Sequence, residues 1–163
     1  MEEAGVFRGK SLLGMAMMLK ELGSEKKIYG FDTFSGFPPN KHPNDDLEMF
    51  NQLYKSGIIS ENHYNQFIDH LKLKSYLNNK KYDSHNISTS GNFSDTSKQE
   101  LINKINYYEL DNIVLIDGEF KKTMNNNLDI KSIMGVLIDC DLYEGYVTTL
   151  DYCWSKLEYS GII

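Results

Sequence analysis

The chain has 163 residues, 40% of them hydrophobic and 12% aromatic, which is enough apolar material for a core and argues against disorder. Its formal charge is −6, and Lys80-Lys81 and Lys121-Lys122 stand as isolated pairs, so a nucleic-acid partner has no basic footprint to meet. The longest apolar stretch, about Gly14 to Leu19, is far short of the ~20 residues a membrane span requires, and Met1-Glu2-Glu3 is acidic where a signal peptide is basic. These features predict a cytoplasmic protein with no membrane partner. Cys140 and Cys153 form neither a CxxC nor a zinc spacing, and both are expected to be reduced, with Cys153 in the core.

In chain order, Glu3-Ala4-Gly5-Val6-Phe7-Arg8-Gly9-Lys10-Ser11 runs from a strand end through a glycine turn into a helix, whose apolar spacing over Leu12 to Leu22 closes on Gly23. Lys27 to Asp32 is a short apolar run that ends in an acid. From Phe37 to about Gly91 the alternation of strands and helices breaks. There, Asp45-Asp46 can cap a helix over Leu47 to Lys55 ended by Gly57, and Ser60 can cap another with the stripe Tyr64, Phe67, Ile68 and Leu71. This helical insert, at about 40–90, is too long for an ordinary connection. It can pack on the sheet domain, on a partner chain or over a substrate. Ser97-Lys98-Gln99-Glu100 is a capping box ahead of Leu101 to Ile105. Asn112 to Gly118 and Met134 to Asp139 are two more apolar runs ending in acids. A last helix spans about Gly145 to Leu157, with Val147, Leu150, Trp154 and Leu157 as its apolar stripe and Gly161 soon after its end. Continuous apolar strands alternating with helices predict a single α/β domain built on a parallel sheet covered on both faces.

In such a sheet ligands bind at the carboxyl ends of the strands, so acids that end successive strands converge on one crevice. Gly5 and Gly9 permit close backbone approach, the following helix N-terminus offers free N–H groups to a carboxylate, and Asp32 can accept the two hydroxyls of a ribose. Together they point to an adenosine ligand without a triphosphate. A phosphate loop over Gly5 to Ser11 is the competing reading, with Asp139 then holding magnesium. It needs four residues between its glycines, and Val6-Phe7-Arg8 supplies three.

The strings EAGVFRGKS, IYGFDTFSGFPP, GEFKKTM and VLIDCDLYEGYVTTLDYCWSKLEYSGII, with a weaker SGNFSDTS block at Ser90 to Ser97, resemble the macrocin O-methyltransferase (TylF-type) family of class I methyltransferases. The resemblance implies a Rossmann-like parallel sheet and methyl transfer from S-adenosylmethionine to a hydroxyl of a small molecule, a sugar or glycosylated metabolite, with magnesium assisting. It places Glu3, Gly5, Gly9 and Ser11 around the methionine part of the cofactor, Asp32 on the ribose with Thr33 and Phe34 following, and Glu119 and Phe120 beside the adenine. Asp139 is expected near cofactor and metal, and Asp141 at the metal, two carboxylates being able to aim at one hard cation. Helix capping is the competing role for Asp141. In the family a further acidic pair follows the strand that begins near Ser160, and later strands complete the sheet. The fold is therefore expected to be incomplete at its C-terminus, with an open apolar edge that a homo-oligomer or the insert helices would cover. A truncated, non-catalytic cofactor-binding module is the alternative function. His42, His63, His70 and His85 show no metal-ligand spacing, and no catalytic base is assigned.

Overall fold

In a computed structural model, residues 1–39, 42–77, 79, 81, 92–125 and 128–163 are described, and His85 lies outside them. Two units divide the chain, one made of Met1–Pro38 with Asn92–Ile163 and the other of Pro39–Gly91. In the first unit, five strands, β1 (Glu2–Ala4), β2 (Ile28–Asp32), β3 (Ile113–Asp117), β4 (Ile133–Ile138) and β5 (Leu157–Ile162), form one sheet in the order β3-β2-β1-β4-β5. Every pairing is parallel, with Glu3 opposite both Gly30 and Leu137, and Asp32 opposite Asp117. This is the predicted α/β fold with a Rossmann-like parallel sheet.

Helices cover both faces of that sheet, as its apolar strands require. On one side α1 (Lys10–Glu21) and α4 (Lys98–Tyr107) enclose a core of Val6, Leu12, Leu13, Ala16, Leu19, Ile28 and Leu101. On the other, α5 (Phe120–Thr123) and α6 (Tyr143–Trp154) lie over a core that includes Ala4, Phe31, Val136, Tyr152 and Cys153. The α4 cap forms as its sequence predicts: the Glu100 amide donates to Ser97 Oγ at 3.3 Å. Gly23 ends α1 with φ 62°, the left-handed geometry a C-terminal glycine allows. Cys140 is half-buried and Cys153 buried, and both are thiols outside any disulfide.

The last helix departs from expectation. It ends at Trp154, Leu157 opens β5 instead of closing the helix, and Gly161 falls inside that strand. Its buried residues are Thr149, Tyr152 and Cys153, while Val147, Leu150 and Trp154 face outward and Trp154 is 72% exposed. The reason lies on β1. Glu2 projects into this face with 1% exposure, and a buried carboxyl needs a donor. Cys153 Sγ–H supplies it, donating to Glu2 Oε2 at 2.9 Å, and Tyr152 packs edge-to-face on Phe31. Burial raises the pKa of Glu2, and burial with the Glu2 contact raises that of the Cys153 thiol.

The second unit carries α2 (Leu47–Lys55) and α3 (Glu61–Leu77) after a short 3-10 turn. Ser60 Oγ accepts from the His63 amide at 3.2 Å, as its capping role predicts, whereas Asp46 at the head of α2 makes no side-chain cap bond. Phe50, Tyr54, Tyr64 and Phe67 pack ring on ring between the two helices, and Leu71 is buried. His42 Nδ1 accepts from the Asn44 amide, so this imidazole caps the start of the 3-10 turn. Among the described residues no helix is long and apolar enough to cross a membrane.

The orientation of α6 has a measurable consequence. Truncating the buried Tyr152 to Ala is expected to destabilise the fold by about 3 kcal/mol or more, and Trp154→Ala by less than about 0.5 kcal/mol. Equal losses in denaturant titrations would contradict this assignment of the buried face.

Candidate functional site

The strand order turns about β1, which has β2 on one side and β4 on the other, and this reversal opens a crevice at the carboxyl ends. Backbone bonds bring the loops leaving these strands together there. The Gly5 amide donates to Phe31 O at 3.0 Å, the Asp139 amide to Ala4 O at 2.9 Å, and the Gly118 amide to Asp32 O at 2.9 Å. Glu3, Gly5, Asp32, Asp117 and Asp139 therefore share one rim.

The turn after β1 is wound tightly, with Gly5, Phe7 and Gly9 at φ 93°, 51° and 80°. A side chain at Gly5 would collide with the Asp139 carbonyl, and one at Gly9 with Leu101, so both positions exclude anything larger. Asp32 fixes the turn from below. Its Oδ2 accepts from the amides of Val6 and Phe7, each at 2.8 Å, and its Oδ1 accepts from the Phe34 amide at 2.7 Å. One carboxylate thus anchors the turns after both β1 and β2. Thr33 serves its own turn, donating to Gly36 O at 2.5 Å. Phe34, at φ 48°, buries its ring in the core and brings its backbone amide, not its side chain, to the site.

Glu3 stands at the floor of the crevice with 1% exposure. Ser11 Oγ donates to its Oε1, and among the described residues its Oε2 has no hydrogen-bond partner. Burial pushes its carboxyl up to about 7; the Asp139 and Asp32 carboxylates push the same way, and Ser11 opposes them. Burial, followed by Cys140, Asp139 and Asp141, also raises the Tyr146 hydroxyl. The crevice is thus an acidic basin suited to a cation.

Glu119 caps α5 through its carbonyl, which accepts from the amides of Lys122 and Thr123, and its Oε1 meets Lys122 Nζ at 2.9 Å. Phe120 packs half-buried against the second core, beside Gly145. Asp117 pairs with Lys98 at 3.3 Å. The magnesium expected on Asp139 and Asp141 finds no supporting donor set. Both carboxylates are exposed, and among the described residues no group of three or more His, Cys, Asp or Glu could hold a metal ion, where such an ion wants six oxygens. The N-cap of α6 falls on Leu142, not Asp141.

Sequence reasoning missed Arg8, Phe93, Asp95 and Thr96, which gather on the outer side of the β1 turn. The SGNFSDTS block was the signal that could have found them.

Glu3 makes stability depend on pH. A carboxyl whose folded pKa lies above its unfolded value of 4.5 favours folding fully below that value, and the contribution disappears as pH rises through about 7. Wild type should accordingly lose on the order of 3 kcal/mol of unfolding free energy between pH 4.5 and 8 from this group, and Glu3→Gln should remove that part of the slope. Identical slopes for the two proteins in urea titrations would show that Glu3 is not the group responsible.

No family model and no curated protein sequence matches the chain. Solved structures do. The O-methyltransferase NovP superposes on 99% of this chain and 54% of its own, at a TM-score of 0.66 and 18% identity. The calicheamicin methyltransferase CalS11 superposes on 99% of this chain and 55% of its own, at 0.62 and 18% identity. The chain spans about half the length of these two proteins, and over that span it has their fold.

Proposed function

We propose that the chain is the cofactor-binding part of an S-adenosylmethionine-dependent O-methyltransferase acting in the cytoplasm on a hydroxyl of a small molecule, a sugar or glycosylated metabolite. The observation that carries this reading is the acidic crevice at the turning point of the sheet, where a turn that requires glycine at positions 5 and 9 is anchored by Asp32 over the buried, half-paired carboxyl of Glu3. A ligand carrying a sulfonium and an ammonium complements such a basin, and a triphosphate would be repelled by it. The likeness to NovP and CalS11 in fold supports the same choice.

When bound, S-adenosylmethionine supplies an electrophilic methyl group. Glu3, with its free Oε2, would pair with the ammonium of the methionine part, and Ser11 would hold Glu3 in place. Gly5 and Gly9 let the turn pack closely on Asp139 and Leu101, and Asp32, with three amides on its carboxylate, keeps one acceptor site for a ribose hydroxyl. Glu119 and Phe120 follow β3, the side assigned to the adenine. The protein's part in the chemistry is then chiefly to align an acceptor oxygen in line with the methyl at ~3 Å. Magnesium is given no step, because the described carboxylates do not assemble a site for it.

Calorimetry tests the reading. S-Adenosylhomocysteine should bind and ATP should not. Asp32→Ala should weaken binding by about 1–3 kcal/mol, and Asp32→Asn should do so too, because an amide –NH₂ would face a backbone N–H where an acceptor is required. Binding of ATP in preference, or Asp32 variants with unchanged affinity, would overturn it.

A further inference from the structure

We propose that the segment Asn92–Ser97 is a clasp that preorganises the two ligand-binding turns, with Thr96 as its positioning residue; the inference rests on the cofactor site proposed above. Asp32 holds the β1 turn from the inner side only, through the amides of Val6 and Phe7. The outward carbonyls of that turn are held from the far side of the sequence. Thr96 Oγ1 donates to Phe7 O at 2.7 Å, and Lys104 Nζ, from the last turn of α4, donates to Arg8 O at 3.1 Å. Arg8 closes the contact by donating through Nε to Asp95 O at 3.0 Å and through Nη2 to Asp95 Oδ2 at 2.5 Å.

The same segment reaches the second turn. The Phe37 amide donates to Asn92 O at 2.9 Å, and a side chain at Gly36 would come within 2.5 Å of that oxygen. Phe93 then stands between the two turns, its ring edge-to-face with Phe7 at 5.1 Å and with Phe37 at 5.4 Å. Phe7 and Phe93 both adopt φ near 50°, at 51° and 53°. Bulky residues enter that region only when their surroundings impose it, and each is imposed by the other's packing and by these hydrogen bonds. Ser97, which ends the clasp, is the N-cap of α4, and Leu101 of that helix lies under Gly9, so the clasp is fixed at its base by the core. A ligand site held in its bound shape before the ligand arrives gains affinity by avoiding the cost of ordering.

Thr96 separates this role from simple packing. Valine keeps the shape and loses the donor; serine keeps the donor and loses the methyl group. In the full chain, Thr96→Val should bind S-adenosylhomocysteine about 5- to 10-fold more weakly, the loss of one hydrogen bond, and Thr96→Ser should stay within about twofold of wild type. Without ligand, the amides of Val6 and Phe7 should exchange hydrogen about fivefold faster in Thr96→Val, since local opening governs exchange. Asp95→Ala, which breaks only an exposed pair, should weaken binding about twofold and so covers the case in which the valine variant does not fold. Unchanged affinity and exchange in Thr96→Val, or a loss in Thr96→Ser that valine escapes, would overturn the clasp. Faster exchange with no ligand binding by wild type would keep the clasp and remove the cofactor assignment.

Discussion

The Asp32 carboxylate accepts three backbone amides, from Val6, Phe7 and Phe34, at 2.7–2.8 Å, and the shape of the crevice depends on it. The turn after β1 holds left-handed residues at Gly5, Phe7 and Gly9, and such a path leaves consecutive N–H groups pointing the same way. Those amides need an anion. Asp32 supplies it from the end of the neighbouring strand, by charge-assisted bonds stronger than neutral ones. The position of Asp32 is set in turn by pairing of β2 between β1 and β3, so the site inherits its geometry from the most regular part of the fold.

Around this anchor the chain accumulates acids whose burial costs stability. Glu2 and Glu3 are both buried, on opposite faces of β1, and each meets a single weak or neutral donor, Cys153 on one side and Ser11 on the other. The Glu2 contact fixes the helix that covers its face. The Glu3 contact leaves one buried oxygen without a hydrogen-bond partner among the described residues, and an unsatisfied buried acceptor calls for an explanation that a bound cation would supply. The two acids thus divide the work of one short strand between holding the fold and presenting the site.

The strands, the α/β class and the convergence of strand-end acids were legible in the sequence because a buried parallel sheet imposes continuous apolar runs and a fixed side for its ligands. The face of α6 was not. Val147, Leu150 and Trp154 have the helical period of a core stripe, but the partner that decides the matter, Glu2, lies 151 residues from Cys153. The same distance hid the clasp, whose hydrogen bonds join Phe7 and Arg8 to residues 87 to 96 positions away. The path of Phe34 was hidden for a more local reason, since its left-handed backbone places the ring in the core and the amide on Asp32. The DxD at Asp139 and Asp141 fits a metal in spacing, yet a pair of carboxylates does not make a coordination sphere.

The most direct test of the account is an amide-resolved NMR titration with S-adenosylhomocysteine. The account predicts the largest shifts at Gly5 to Ser11 and at Asp32 to Phe34, on the two turns that Asp32 joins, with smaller ones after β3 at Gly118 to Phe120. Shifts confined to the opposite end of the sheet, or to the Pro39–Gly91 unit, would contradict it.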